Sequence, residues 1–204
     1  MLEVHDLAGH RGHARLFDGL SFTVEAGHAL LVSGANGTGK TTLLRMLAGL
    51  SLPAAGEIRW DGTPVAPFDP VVRASIAFAG HAPALKDELT TEENLDTLVT
   101  LAGGTASPGA IRGALDAVSL GSHRALPARV LSAGQRRRIG LARLSLLKRP
   151  YWVLDEPATA LDAAGAAMLT DMIAAHLDRG GIAVAATHSP IGLPPKCVHS
   201  IALG

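Results

Sequence analysis

A chain of 204 residues buries one good core with a small appended lobe and is too short for two full domains. Hydrophobic residues make up 48% and charged ones 18%, which excludes a disordered polyelectrolyte and points to a densely packed α/β protein. The 18 basic residues balance the 18 acidic ones, so the chain carries no overall electrostatic footprint for DNA or RNA, and nucleic acid is not an expected partner.

The expected elements begin with two half-buried strands, marked by Leu2 and Val4 and then by Leu20, Phe22 and Val24, and joined by a turn around 9–12. His10 and His13 sit in that turn; without a further ligand nearby they read as solvated loop histidines rather than a metal pair. The start Met1-Leu2-Glu3-Val4-His5-Asp6 has neither the basic residues nor the apolar core of a signal peptide, and Cys197 is the single cysteine, so no intramolecular disulfide forms. Both features are those expected of a cytoplasmic chain. Apolar runs such as 151–154 and 182–186 are far shorter than the roughly 20 residues of a membrane helix, so no direct membrane insertion is expected.

Ala29-Leu30-Leu31-Val32 reads as a buried strand, and Leu43-Leu44-Arg45-Met46-Leu47 as the start of a helix. Between them lies Gly34-Ala35-Asn36-Gly37-Thr38-Gly39-Lys40-Thr41, with Thr42 following. Strand, glycine-rich turn and helix in that order are what a phosphate-binding loop requires. Glycines let the main chain wrap around a polyphosphate, its N–H groups and the helix start face the anion, and Lys40 adds a positive charge over the outer phosphates. Thr41 would offer a hydroxyl to Mg²⁺.

Short strands at 57–61 and 75–78 come next, followed by a long mixed loop from Gly80 to Leu89. Thr90 with Glu93 has the form of a capping box opening a helix with Leu95, Leu98 and Val99 inward, and Ser107-Pro108 opens another with Ile111, Leu115 and Val118 inward. These helices form the expected inserted lobe, about 84–145. Leu131-Ser132-Ala133-Gly134-Gln135 leads into a helix lined by Ile139, Ala142 and Leu146, whose arginines 136, 137 and 138 read as a solvated face. Tyr151-Trp152-Val153-Leu154 is a buried strand that delivers Asp155 and Glu156 at its C-terminal end, where open parallel sheets place ligands. Asp162 is placed to cap the next helix, and the strand 182–186 presents Thr187-His188 at its own end.

The nucleotide loop, the run Leu131 to Gln135, the strand into Asp155-Glu156, Ala160-Leu161-Asp162 and Thr187-His188, in that order, resemble the nucleotide-binding subunits of ABC (ATP-binding cassette) ATPases over the whole chain. The run Arg15 to Phe22, the stretch from Gly80-His81 to Leu95 and the small length are similar to the haem-exporter type that serves cytochrome c maturation. The resemblance implies a single α/β domain over 1–204, with the P-loop NTPase fold of ABC ATPases: a mostly parallel sheet core, an antiparallel β subdomain and an inserted helical subdomain. It implies ATP and Mg²⁺ as ligands, with Gly34 to Thr42 on the nucleotide and Thr41 and Asp155 on the metal. It further implies Glu156 as the residue that orients the attacking water, with His188 on the γ-phosphate and Lys40 beside it. Ser132, Gly134 and Gln135 would close over the nucleotide of a second copy, so that two chains sandwich two ATP molecules. The other implied partners are integral membrane subunits of the CcmB and CcmC kind, which would hold the chain peripherally on the cytoplasmic face of the bacterial inner membrane.

Two positions depart from the family pattern. Where most members carry a glutamine that approaches Mg²⁺ and water, this chain has Ala82, whose methyl group neither ligates nor hydrogen-bonds. No aromatic residue lies between Leu2 and Leu16 to stack on adenine, and Arg11 is the best-placed planar group there. Cys197 and His199 invite a haem-ligand reading, but Cys197-Val198-His199 alternates as strand faces do, and a buried cysteine needs no such role. Non-transport ABC ATPases are a less fitting alternative: the DNA type inserts a long coiled coil, and no sustained heptads intervene between Lys40 and Ser132. A catalytically silent nucleotide switch, suggested by Ala82, is opposed by the intact Lys40, Asp155, Glu156 and His188. Without an aromatic stack on adenine, binding is expected to be led by the phosphates and to discriminate purines poorly, so GTP should displace ATP within a few-fold of equal potency in a competition titration, and strong ATP preference would refute this.

Overall fold

The computed structural model describes residues 1–12, 14–188 and 191–204, so His13 of the expected first turn lies outside the described residues. Its elements in chain order are β1 (Leu2–Arg11), β2 (Ala14–Val24), β3 (Ala29–Gly34), α1 (Lys40–Leu47), β4 (Ala55–Trp60), β5 (Thr63–Pro64), α2 (Pro70–Ser75) and β6 (Ile76–Ala79). They continue as α3 (Thr91–Leu101), α4 (Pro108–Ala117), α5 (Ala133–Leu147), β7 (Tyr151–Asp155), α6 (Ala163–Asp178), β8 (Ile182–Ala186) and β9 (Val198–Leu203). The chain divides into two compact units, one made of Met1–Phe78, Arg149–Glu156 and Ile173–Gly204, the other of Ala79–Lys148 and Pro157–Met172.

The first unit holds both sheets. β2-β1-β4-β5 is antiparallel, and Leu2, Val4 and Leu7 of β1 are buried in its core. The expected turn at 9–12 is shorter than the sequence suggests, because β1 continues through Gly9 and His10 to Arg11 by absorbing register shifts that pair Gly9 with Phe17 and Arg11 with Ala14. The larger sheet runs β6-β7-β8-β3-β9, with β7, β8, β3 and β9 pairing in parallel. Every residue of β7 and of β8 is buried, which is why both strands read as unbroken apolar runs rather than as alternation. Trp60 joins the layers: its indole N–H donates to the carbonyl of Leu47 at 3.0 Å, and its ring stacks on Tyr151 at 4.1 Å. Burying each such side chain contributes about 1.5–3 kcal/mol, and Leu43, Leu44 and Leu47 of α1 add theirs from the other side.

The second unit is helical. Thr90 and Glu93 form the expected capping box on α3, Ser107 caps α4 with Pro108 at its first position, and Ser132 and Gln135 form a second box on α5. Its core is Leu95, Leu98, Val99, Ile111, Leu115, Val118 and Ile139. The arginines of α5 correct the reading of a solvated face. Arg136 pairs with Asp87 at 2.8 Å and Arg138 with Asp162 at 2.6 Å. Arg137 is only 4% exposed, and its guanidinium donates to the carbonyls of Gly80 at 2.7 Å, His81 at 2.9 Å and Pro157 at 3.2 Å. Cys197 also differs from expectation: it is partly exposed, closes a short turn before β9 and donates from its thiol to the carbonyl of Pro194.

His176 on α6 is buried, with its ring parallel to that of Trp152 at 4.0 Å and its Nε2 on the carbonyl of Ile182 at 3.2 Å. Burial holds its pKa below the ordinary imidazole value of 6.5. The folded protein therefore resists a proton that the unfolded chain accepts, so stability is undiminished by this group above pH 6.5 and falls as the pH drops below it, by at most about 1.4 kcal/mol per pH unit. Melting temperatures of the wild type and of His176→Phe measured between pH 8 and pH 5 should converge or cross at the acid end; parallel curves would refute the assignment.

Candidate active site

The site of the first unit begins where β3 ends. Gly34 has φ +142° and packs so closely on β9 that a Cβ there would lie 2.3 Å from the carbonyl oxygen of Leu203, so only glycine lets the chain leave the sheet at this point. Gly37 and Gly39 continue the left-handed path into α1. Thr38 Oγ1 donates back to the carbonyl of Ala35 at 3.0 Å. Lys40 is only 8% exposed, and its Nζ is steered onto the carbonyls of Gly34 at 2.7 Å and Ala35 at 3.1 Å. Thr41 and Thr42 follow in the first turn of α1, Thr41 exposed and Thr42 half-buried.

The strand ends then bring in the acids and the histidine. Asp155 is 4% exposed and accepts from the hydroxyl of Thr41 at 3.0 and 3.2 Å. Glu156 leaves β7 with φ +50°, a conformation that costs a non-glycine residue energy, and is held there by its N–H donating to the carbonyl of Ala186 at 2.9 Å. His188 stands between the groups: its Nε2 lies 3.2 Å from Lys40 Nζ, 3.0 Å from Asn36 Oδ1 and 3.4 Å from Glu156 Oε1. One ring nitrogen carries either a proton or a lone pair, so it accepts from Lys40 in one tautomer and donates to Asn36 or Glu156 in the other. The structure thus gathers Gly34, Ala35, Asn36, Gly37, Thr38, Gly39, Lys40, Thr41, Asp155, Glu156 and His188 at one end of the larger sheet.

The residues present fit the expected ligands. Thr41 and Asp155 offer two oxygen donors within hydrogen-bond distance of each other, the donor chemistry that Mg²⁺ prefers. The glycine path with Lys40 beneath it is a cradle for a polyphosphate. Among the described residues, no group of three His, Cys, Asp or Glu side chains forms a metal site of its own.

Arg11 ends β1 as an exposed residue. The side chains that lie against Gly39 are instead Leu16 and Phe17 of β2, so an aromatic ring does approach the loop, from just beyond the stretch 2–16 where none was found. In the second unit, Ser132 Oγ accepts from the N–H of Gln135 at 3.2 Å, while Gln135 Oε1 accepts from the N–H of Ser132 at 2.9 Å. A Cβ on Gly134 would fall 2.7 Å from the carbonyl of Ala160, which ties this helix start to the loop before α6. Ala82 and His81 are exposed. What the sequence reading lacked was Arg137, whose only signal is its place in a run of three arginines.

The ABC transporter family model matches residues 17–159. The cytochrome c biogenesis ATP-binding export protein CcmA of Dechloromonas aromatica is 46% identical over 204 residues, covering 100% of both chains. Its namesake in Pseudomonas aeruginosa is 46% identical over 193 residues, covering 95% of each chain, and that of Aromatoleum aromaticum is 48% identical over 96% of this chain and 92% of its own. Among solved structures, a Pyrococcus furiosus protein described as an ABC transporter ATP-binding protein superposes with a TM-score of 0.84 at 27% identity, over 99% of this chain and 96% of that one. The ATP-binding cassette MJ0796, solved as a dimer in a post-hydrolysis state with ADP and Pi, shares the fold at a TM-score of 0.80 and 22% identity, over 93% and 88% of the two chains. With the loop, the strand-end acids and the histidine converging as described, the chain belongs to the ABC transporter family, among relatives named cytochrome c biogenesis ATP-binding export proteins.

Proposed function

We propose that this chain is the ATP-binding and ATP-hydrolysing subunit of a haem-export system of cytochrome c biogenesis, driving the release or export of haem to its periplasmic chaperone. The observation that carries the hydrolytic part is the meeting of Lys40, Asp155, Glu156 and His188 within hydrogen-bond distances around one glycine-rich loop. The haem assignment rests on relatives 42–48% identical over nearly their whole length.

Phosphoryl transfer to water asks mainly for position and charge compensation. The main-chain N–H groups of 34–42 and the ammonium of Lys40 bind the β- and γ-phosphates of the substrate. Thr41 and Asp155 hold Mg²⁺, which supplies charge neutralisation between the transferred and leaving groups. Glu156 orients the attacking water and accepts its proton at a carboxylate oxygen; its side chain is only 18% exposed, so little bulk water competes for that oxygen. His188 donates from Nε2 towards the γ-phosphate and keeps Glu156 turned towards the loop.

Ser132, Gly134 and Gln135 at the start of α5 act on the nucleotide of a second copy, where helix-start N–H groups and the serine hydroxyl face the γ-phosphate. Arg11 is proposed to lie along the purine. No described helix is long and apolar enough to cross a membrane, which fits a subunit that reaches the cytoplasmic face of the bacterial inner membrane through integral partners of the CcmB and CcmC kind.

Glu156→Gln should lower ATP turnover by at least about 100-fold while leaving ATP affinity within a few-fold, and should accumulate as a dimer in Mg·ATP on sizing, alone or with its membrane partners. Monomers under all these conditions would sink the sandwich. For the cargo, the chain purified from its native membrane should bring integral haem-handling proteins with it; an unrelated permease in their place would overturn the haem assignment while leaving the ATPase intact.

A further inference from the structure

His123, in the helical second unit, is absent from the hydrolytic scheme yet touches Gln135 of the run Leu131 to Gln135. It closes the short turn Gly121–His123, with its Nε2 3.0 Å from the amide nitrogen of Gln135 and its Nδ1 3.1 Å from Ser122 Oγ. The proton positions follow from the neighbours. The backbone N–H of Ser132 can only donate, and Gln135 Oε1 receives it at 2.9 Å, so the Gln135 NH₂ is the group that faces the imidazole. An NH₂ has no lone pair to offer, so His123 Nε2 is the acceptor, and the ring proton sits on Nδ1, where Ser122 Oγ accepts it. The N–H of Gln135 in turn donates to Ser132 Oγ, which leaves that hydroxyl's own proton to be donated outward.

We propose that His123 is a positioning residue for the start of α5, at Ser132 to Gln135. Through the lone pair of Nε2 it holds Gln135, Gln135 holds the main chain at Ser132, and the hydroxyl and the helix-start N–H groups keep their aim on the phosphate bound by a second copy. This rests on the sandwich reading above. The acceptor is what matters, not the bulk of the ring: a glutamine at 123 can still accept from Gln135, whereas a lysine brings only donors.

The test uses full-length chain in the Glu156→Gln background, with and without His123→Ala, His123→Gln or His123→Lys. ATP-dependent dimerisation is followed by sedimentation, and nucleotide binding to the separate chain by fluorescence of a labelled ATP. His123→Ala and His123→Lys should raise the ATP concentration for half-dimerisation about five- to tenfold, the loss expected for one hydrogen bond. Own-loop nucleotide binding should stay within about twofold, since the unit that holds Lys40 is untouched. His123→Gln should restore dimerisation to within about twofold of the parent. Failure of Glu156→Gln itself to dimerise would remove the sandwich and this inference together. Dimerisation by the parent with no effect of His123→Ala, or equal behaviour of the Gln and Lys variants, would remove this inference alone.

Discussion

Two strands end, and a third passes, on one row. Val32 of β3 pairs with Ala186 of β8, and Ala186 pairs with Asp155 of β7, so β7 and β8 end level with Val32, two residues before β3 itself ends at Gly34. The row extends past the sheet, because the N–H of Glu156 donates to Ala186 and that of Thr187 to Val32. A shift of one strand by one residue would turn Asp155 into the opposite layer and separate it from Thr41. The meeting of Lys40, Asp155, Glu156 and His188 therefore depends on a register fixed by buried aliphatic side chains that take no part in the chemistry.

That division of labour explains what could be read from the amino acids alone. The loop 34–41 was legible because its backbone path needs glycine at set positions, and the strands β7 and β8 because burial on both faces makes 151–154 and 182–186 unbroken apolar runs. The capping box at Thr90 was legible because the physics that makes it is local, confined to four consecutive residues. The partners of Arg137 were not, since a buried guanidinium bonded to three main-chain carbonyls leaves no pattern: carbonyls are present at every residue, and the run of three arginines has the composition of a wet surface. Phe17 escaped for a related reason, as the register shifts in β1 carry the pairing beyond simple alternation and set its ring against Gly39.

The site also shows where the molecule accepts cost. Glu156 takes a left-handed backbone conformation without being glycine, and Ala160 does so four residues later, at φ +65°. Both lie on the segment that links the strand-end acids to the loop before α6, and both are tied by close main-chain contacts, Glu156 to Ala186 and Ala160 against Gly134. Such strain persists only where the surroundings over-determine it, and each of the two residues meets that condition within its own unit.

The place of β3 in its sheet bears on how the protein is made. β3 comes early in the chain, yet its neighbours on either side are β8 and β9, contributed by residues 182–186 and 198–203. During synthesis the glycine-rich turn that follows β3 thus waits, without either lateral support, until residues 182–203 have been made. Assembly of the larger sheet is governed by contacts distant in sequence and is correspondingly slow, and the nucleotide cradle is among the last parts of the molecule to acquire its shape.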